Sequence, residues 1–140
     1  MANLLTLDIL TPTGPIAEAS SVQVESVSVP AVQGEIGLLA EHIPILTPIS
    51  PGIVSYSKSG VKTELAIGGG MLDVSSNGVV TILAERIHRA NEVDREKTEA
   101  ELAKLRHELS EQKDSIDSHE MKTMLKLQGW LEAQLRIVAT

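Results

Sequence analysis

At 140 residues the chain has room for one domain or two small ones, and its 42% hydrophobic content is that of a folded protein. A formal charge of −7 argues against a nucleic-acid partner, and with no cysteine neither a disulfide framework nor a thiolate metal site can form. No basic, apolar leader opens the sequence and no window approaches the ~20 apolar residues of a membrane span, so the expectation is a soluble protein of a cytoplasm-like compartment that reaches a membrane only through another protein.

The apolar residues are nearly all aliphatic, with one Trp, one Tyr and no Phe. Branched side chains of this kind suit the pleat of a β-sheet. Residues 4–10 read as a strand, and Thr11-Pro12-Thr13-Gly14-Pro15 as a turn. Ile16 to Ser20 is expected to be a short strand. From Ser21 to Pro30, Val22 and Val24 share one parity and Val27 and Val29 the other, so a bulge or sharp twist at Glu25-Ser26 is needed to keep all four inside. Gly34 to Thr47 is apolar, yet it holds two glycines, two carboxylates, a histidine and a proline. It reads as a strand, an exposed corner at Ala40 to Pro44, and a second strand.

Pro48-Ile49-Ser50-Pro51-Gly52 is expected to turn, and Ile53 to Ser57 to form a strand. Lys58-Ser59-Gly60 signals a hairpin into Val61 to Ile67. Gly68-Gly69-Gly70 is expected to break that strand before a short one at Met71 to Val74. Asn77-Gly78 is a strong hairpin signal ahead of the apolar strand Val79 to Ala84. The fold class is therefore a β-sandwich of eight to ten short strands, or a flattened barrel.

After Glu85 the pattern changes. Residues 1–90 carry 4 basic and 8 acidic groups, and residues 91–140 carry 8 and 11, a much denser distribution. Between Asn91 and Gly129 there is neither Gly nor Pro. Asn91 is a candidate N-cap, and Leu102, Leu105 and Leu109 form a narrow stripe on a first helix. A polar connection at residues 112–118 precedes a second helix striped by Met121, Met124, Leu125, Leu131, Leu135 and Val138 and widened by Leu127 and Trp130. Two helices joined this closely make an antiparallel hairpin. Its second helix is too apolar for the first to cover, so it must rest on the β-domain, on another protein, or on each in turn. The division is residues 1–86 for the β-domain and 87–140 for a linker and helical hairpin.

Glu35, Glu41 and His42 lie close enough in sequence for acid–base work, but no nucleophile accompanies them, and a polar corner at a protein contact is the favoured reading. The glycine triplet lacks the Gly-Lys-Ser/Thr of a phosphate loop and leads into a strand. The four histidines share no ligand spacing, so no metal site is expected. No cofactor is expected either. A stand-alone β-sandwich adaptor whose hairpin binds a partner is the alternative these patterns leave open.

Gly34-Glu35-Ile36-Gly37-Leu38-Leu39, His42-Ile43-Pro44-Ile45-Leu46-Thr47, Pro51-Gly52, the run Ile67 to Val74 and the run Val79 to Glu85, in that order and spacing, resemble the epsilon subunits of F-type rotary ATP synthases, called delta in mitochondria. The resemblance covers essentially the whole chain. It implies a non-catalytic central-stalk subunit that docks on the gamma subunit and the ring of c subunits, on the cytoplasmic face of a bacterial inner membrane. Glu35 matches a position facing the c ring and His42 one facing gamma; Ala40-Glu41 departs from the Pro-Gly that many members have before this histidine. The family's C-terminal helices can fold on the sandwich or extend along gamma toward the alpha and beta subunits, where they inhibit ATP hydrolysis. Lys122, Lys126 and Arg136 are the candidates for contact with beta. Some members bind ATP through Ile/Leu-Asp-x-x-Arg-Ala. Here Val93-Asp94-Arg95-Glu96-Lys97-Thr98 keeps Asp94 but replaces the arginine by Lys97 and the alanine by Thr98, which implies weak or no ATP binding, since lysine lacks the planar fork of arginine.

Overall fold

The computed structural model describes residues 4–40, 43–112 and 117–139. Among these, nine strands precede two helices: β1 (Leu5–Thr11), β2 (Gly14–Pro15), β3 (Val22–Val24), β4 (Ser26–Ala31), β5 (Gly34–Leu39), β6 (Ile45–Lys58), β7 (Val61–Val74), β8 (Val79–Ala84), β9 (Ile87–His88), α1 (Arg95–Gln112) and α2 (Ser118–Val138). The strands hydrogen-bond in the order β2-β1-β8-β7-β6-β4-β5, with β3 added to β1 and β9 to β7. β1 and β8 run parallel and the other pairs antiparallel. The sheet closes over one aliphatic core that draws on β1 and on β3 through β8, including Leu7, Ile9, Val24, Val29, Leu38, Val54, Ile67, Leu72 and Ile82. This is the β-sandwich that the aliphatic composition favours.

The parity problem at Glu25-Ser26 is solved by a change of partner. β3 pairs with β1, the chain steps at Glu25, and β4 pairs with β5 and β6. Val24, Val27 and Val29 all end fully buried. Glu25 holds the step: its backbone N–H donates to the Ser57 carbonyl, and its carboxylate accepts from the Gly60 N–H at 2.9 Å.

Three expectations are corrected. Ile16 to Ser20 is not a strand; Ala17–Ala19 form a 3-10 turn that buries only Ala19. Pro48 to Gly52 is not a turn, and the glycine triplet does not break its strand. Both lie inside the long strands β6 and β7, with Pro51 opposite Gly68 and Ile49 opposite Gly70. Proline is tolerated in β6 because the β4 register slips between Ser28 and Ala31, which leaves that stretch without regular ladder partners on one side. Across this point the inward parity of both strands flips, from Ile49 to Val54 on β6 and from Ile67 to Leu72 on β7. Gly69 and Gly70 have φ of +106° and +156°, and a Cβ on Gly70 would lie 1.9 Å from the Leu83 carbonyl oxygen. The signals mark a shared twist in a continuous hairpin.

Asn91 is also not the helix cap. It sits in a 3-10 turn, Ala90–Glu92, and α1 is capped by Asp94, whose carboxylate accepts the Lys97 N–H at 3.1 Å. Asp117 caps α2 through the Glu120 N–H at 2.8 Å. α2 lies on β6 and β7, and α1 packs on α2. A second apolar cluster forms there from Ala66, Leu102, Leu105, Trp130, Leu131, Ala133 and Ile137, with Ile53 and Val93 at its border. Leu125, expected in the helix stripe, is half-exposed; the buried face runs instead through Trp130, Ala133 and Ile137. Because α2 covers the outside of β7, Leu65 to Gly69 are buried in succession, on both faces of the strand.

Candidate functional site

Among the described residues, chemistry-bearing side chains gather at the β5 edge of the sandwich, at the seam between sandwich and hairpin, and around the linker into α1. β5 ends the sheet order and pairs only along β4. Glu35 stands on it, exposed, and its carboxylate accepts a hydrogen bond from the Ser28 hydroxyl across the strand pair. Leu39 at the end of β5, Ile43 between the strands and Leu46 near the start of β6 are each about two-thirds exposed (65–72%). Exposed aliphatic side chains on and between these two strands are candidates for a contact surface. A groove of about 760 Å³ is lined by Leu10, Val32, Ile49, Met71 and Leu83, with Lys126 of α2 at its border. His42 and Glu41 lie outside the described residues.

At the seam, Lys126 makes an ion pair with Glu85, Nζ to Oε2 2.6 Å. Trp130 packs on the sandwich with the Arg86 guanidinium 5.5 Å from its ring centroid and the His88 ring edge-on at 5.0 Å. His88 Nδ1 donates to Gln134 Oε1 at 3.2 Å. Lys122 is exposed. Arg136, exposed near the end of α2, lines one groove of about 410 Å³ with Glu35, Lys62 and Glu64. The fold thus brings together Glu35 and Arg136, a hundred residues apart, which the sequence had assigned to different partners.

Asp94 and Lys97 open a cleft that they share with Arg86, His88, Glu101 and Trp130. Its volume is about 230 Å³, below the ~300–1,000 Å³ usual for ligand pockets. The Asp94 carboxylate is already engaged by the start of α1.

One cluster was not foreseen. Arg89, in the linker, holds Glu18 of the first 3-10 turn through two parallel N–H to carboxylate bonds, and reaches Glu92 at 3.1 Å. The Arg89 side-chain bonds lower the Glu18 pKa against a smaller opposing effect of burial. Glu92 is lowered first by the Arg89 backbone N–H, which its carboxylate accepts at 2.7 Å. Burial pushes the Tyr56 phenol up. Ion pairing 71 residues apart leaves no spacing pattern in a sequence, which is why this cluster was not legible there. Among the described residues no three His, Cys, Asp or Glu side chains converge as a metal site would require.

Residues 4–90 match the family profile of the ATP synthase delta/epsilon chain β-sandwich domain. The chain belongs to the ATP synthase delta/epsilon family. It is 36% identical to the ATP synthase epsilon chain of Bacillus subtilis over 111 residues, 79% of this chain and 81% of that one. With the epsilon chain of Herpetosiphon aurantiacus the identity is 46% over 88 residues, 63% of this chain and 62% of that one. A chain in the Euglena gracilis mitochondrial ATP synthase, solved as OSCP/F1/c-ring in rotational state 1, superposes with a TM-score of 0.72 at 26% identity, over 96% of this chain and 77% of that one. In this delta/epsilon chain the β-sandwich and the two helices both occur as the resemblance implied, with the hairpin lying on the sandwich.

Proposed function

We propose that the protein is a non-catalytic central-stalk subunit that couples the catalytic head of an F-type ATP synthase to its membrane ring. Membership of the delta/epsilon family is the observation that carries this reading, and the surface is consistent with it. The exposed Leu39, Ile43 and Leu46 corner, with Glu35 beside it, provides a rim for the polar loops of the c ring. The apolar groove at Leu10, Val32, Met71 and Leu83 provides a seat for gamma, and the family resemblance assigns His42 to gamma as well. The subunit works on the cytoplasmic face of a bacterial membrane, held there by its partners, and has no active site of its own.

The hairpin regulates. Docked, α2 spends Lys126 on Glu85 and the broad face of Trp130 and Ile137 on the sandwich. Extended, it would free Lys126 and carry it, with the already exposed Lys122 and Arg136, to acidic groups on beta. Surface ion pairs of this kind are worth only ~0–1 kcal/mol each, which suits a switch whose two packings lie close in free energy. Deleting residues 91–140 should raise ATP hydrolysis by the assembled complex. An unchanged rate would remove the inhibitory role and leave the coupling role standing.

Nucleotide binding at Asp94 and Lys97 is weak or absent. The cleft is small, and Lys97 offers a point charge where a planar fork is needed. Calorimetric titration of ATP into the isolated chain should give no saturable binding at micromolar concentration; a saturating isotherm there would overturn this.

A further inference from the structure

Regulation by the hairpin requires that α2 either lie on the sandwich or leave it, and the role assigned to its contact surface rests on that proposal. The helix meets the sandwich at glycines. Gly129 lies over Pro51, where an added Cβ would sit 3.0 Å from the proline Cβ. The Trp130 ring lies over Gly68, where a Cβ would be 3.3 Å from ring carbons and 3.2 Å from the Arg86 Cβ. One turn earlier Lys126 crosses Gly69, with a Cβ there 2.9 Å from its Cε. Pro51 and Gly68 are register partners on β6 and β7, so the contacts form one patch. Side chains are missing from both surfaces, and the helix comes close to the backbone of the strands.

Glycine is a poor helix residue, and α2 passes through position 129 unbroken. The helix alone therefore gives no reason for Gly129, whereas the proline beneath it does. The Pro51 ring is held in a strand and cannot swing aside as a long side chain would. The polar contacts around the patch are weaker determinants: Lys126 and Glu85 are 42% and 52% exposed, and pairs so placed contribute little. Trp130 is only 5% exposed, and a buried aromatic of this size dominates such a contact.

We propose that Gly129 on Pro51, with Trp130 on Gly68, forms a shape-keyed latch that decides whether the regulatory helix lies down. Bulk at position 129 controls the docked population, and the Lys126–Glu85 and His88–Gln134 contacts orient the helix once it is seated.

Trp130 is the single tryptophan of the sequence, so its fluorescence reads the latch in the full-length protein. In Gly129→Ala the helical circular-dichroism signal should stay or rise while acrylamide quenching of Trp130 increases several-fold and its emission moves to the red. Gly129→Leu should do so more strongly. Thr123→Ala, on the exposed side of α2, should leave Trp130 shielded, and Pro51→Gly in the Gly129→Ala background should restore the shielding. If Gly129→Leu loses helix, Gly129→Ala decides, because alanine is the better helix former. Wild-type shielding in Gly129→Ala and in a helical Gly129→Leu would overturn the latch, as would the absence of rescue by Pro51→Gly. ATP hydrolysis by complexes assembled with Gly129→Leu tests the regulatory role separately. Unshielded Trp130 with unchanged hydrolysis would leave the latch standing and remove the regulatory role; unshielded Trp130 with reduced hydrolysis supports both.

Discussion

At the scale of single residues, the linker is fastened by charge. Arg89 joins the 3-10 turn at Glu18 to the one at Glu92, on either side of the path that leads into α1. Side chains of Glu18 and Arg89 are about one-third exposed, so solvent screens the pair, and two parallel bonds should give about 1 kcal/mol rather than the several expected of a buried pair. Glu18 and Glu92 both have pKa values lowered in the folded protein. A depressed carboxylate stabilises the fold fully above its unfolded pKa of about 4.3 and loses that contribution as pH falls through the folded value. Arg89 stays charged throughout. Stability should therefore be flat from neutral pH to about pH 5 and then decline. Arg89→Gln should lower stability by about 1 kcal/mol at pH 7 and flatten the acid decline, as urea midpoints at pH 7 and below pH 4 would register. An acid decline of the same slope in the variant would mean that other carboxylates cause it.

At the scale of elements, α2 joins α1 to the sandwich. α1 is strongly charged and buries little besides Leu102, Leu105 and Thr98, and an isolated helix of its length is marginal in water. Leu131 of α2, 3% exposed, lies in the cluster with Leu102 and Leu105. Leu131→Ala should cost about 2–5 kcal/mol, and the loss should fall on the hairpin. Helical ellipticity should melt at lower urea than in the wild type, ahead of the sandwich; a single coincident transition at an unchanged midpoint would contradict it. The helices were legible because their apolar stripe and their lack of Gly and Pro are local properties. Which face of α2 turns inward was less so. Leu125 fits the helical period as well as Trp130 does, and only the glycine patch on β7 selects between them. The strands divide the same way. Asn77-Gly78 and Ser59-Gly60 mark true hairpins, with Ser59 and Gly60 at φ of 53° and 78°. Pro51-Gly52 and the glycine triplet carry the same residue types but face each other in mid-hairpin, so they twist the ribbon. Only the pairing partner distinguishes the two uses, and a sequence read alone does not display it. Glu35 could be placed on its strand from local pattern, whereas its groove with Arg136 needed the whole fold.

At the scale of the whole molecule, the buried side chains fall into two apolar clusters. The sandwich cluster draws every buried member from residues before α1. In the second, only Ala66 and the border residues Ile53 and Val93 lie outside the helices. Removing the hairpin therefore leaves the sandwich core whole and uncovers little besides Ala66, part of Ile53 and the glycine patch, a loss of roughly 2–3 kcal/mol by apolar area. The ladder at the boundary matters more. β9 pairs Ile87 with Ile67 and His88 with Ala66, and Arg89 holds Glu18, so a fragment should run through residue 90 to keep both. We propose that residues 1–86 fold as a unit and that 87–90 close it. The fragment 1–90 should unfold in one cooperative urea transition, with a smaller denaturant slope than the full chain because less surface is exposed. Broad, non-cooperative melting would show that the helix is part of the sandwich fold; α2 would then be too firmly built in to leave, and regulation by release of the hairpin would fail with it.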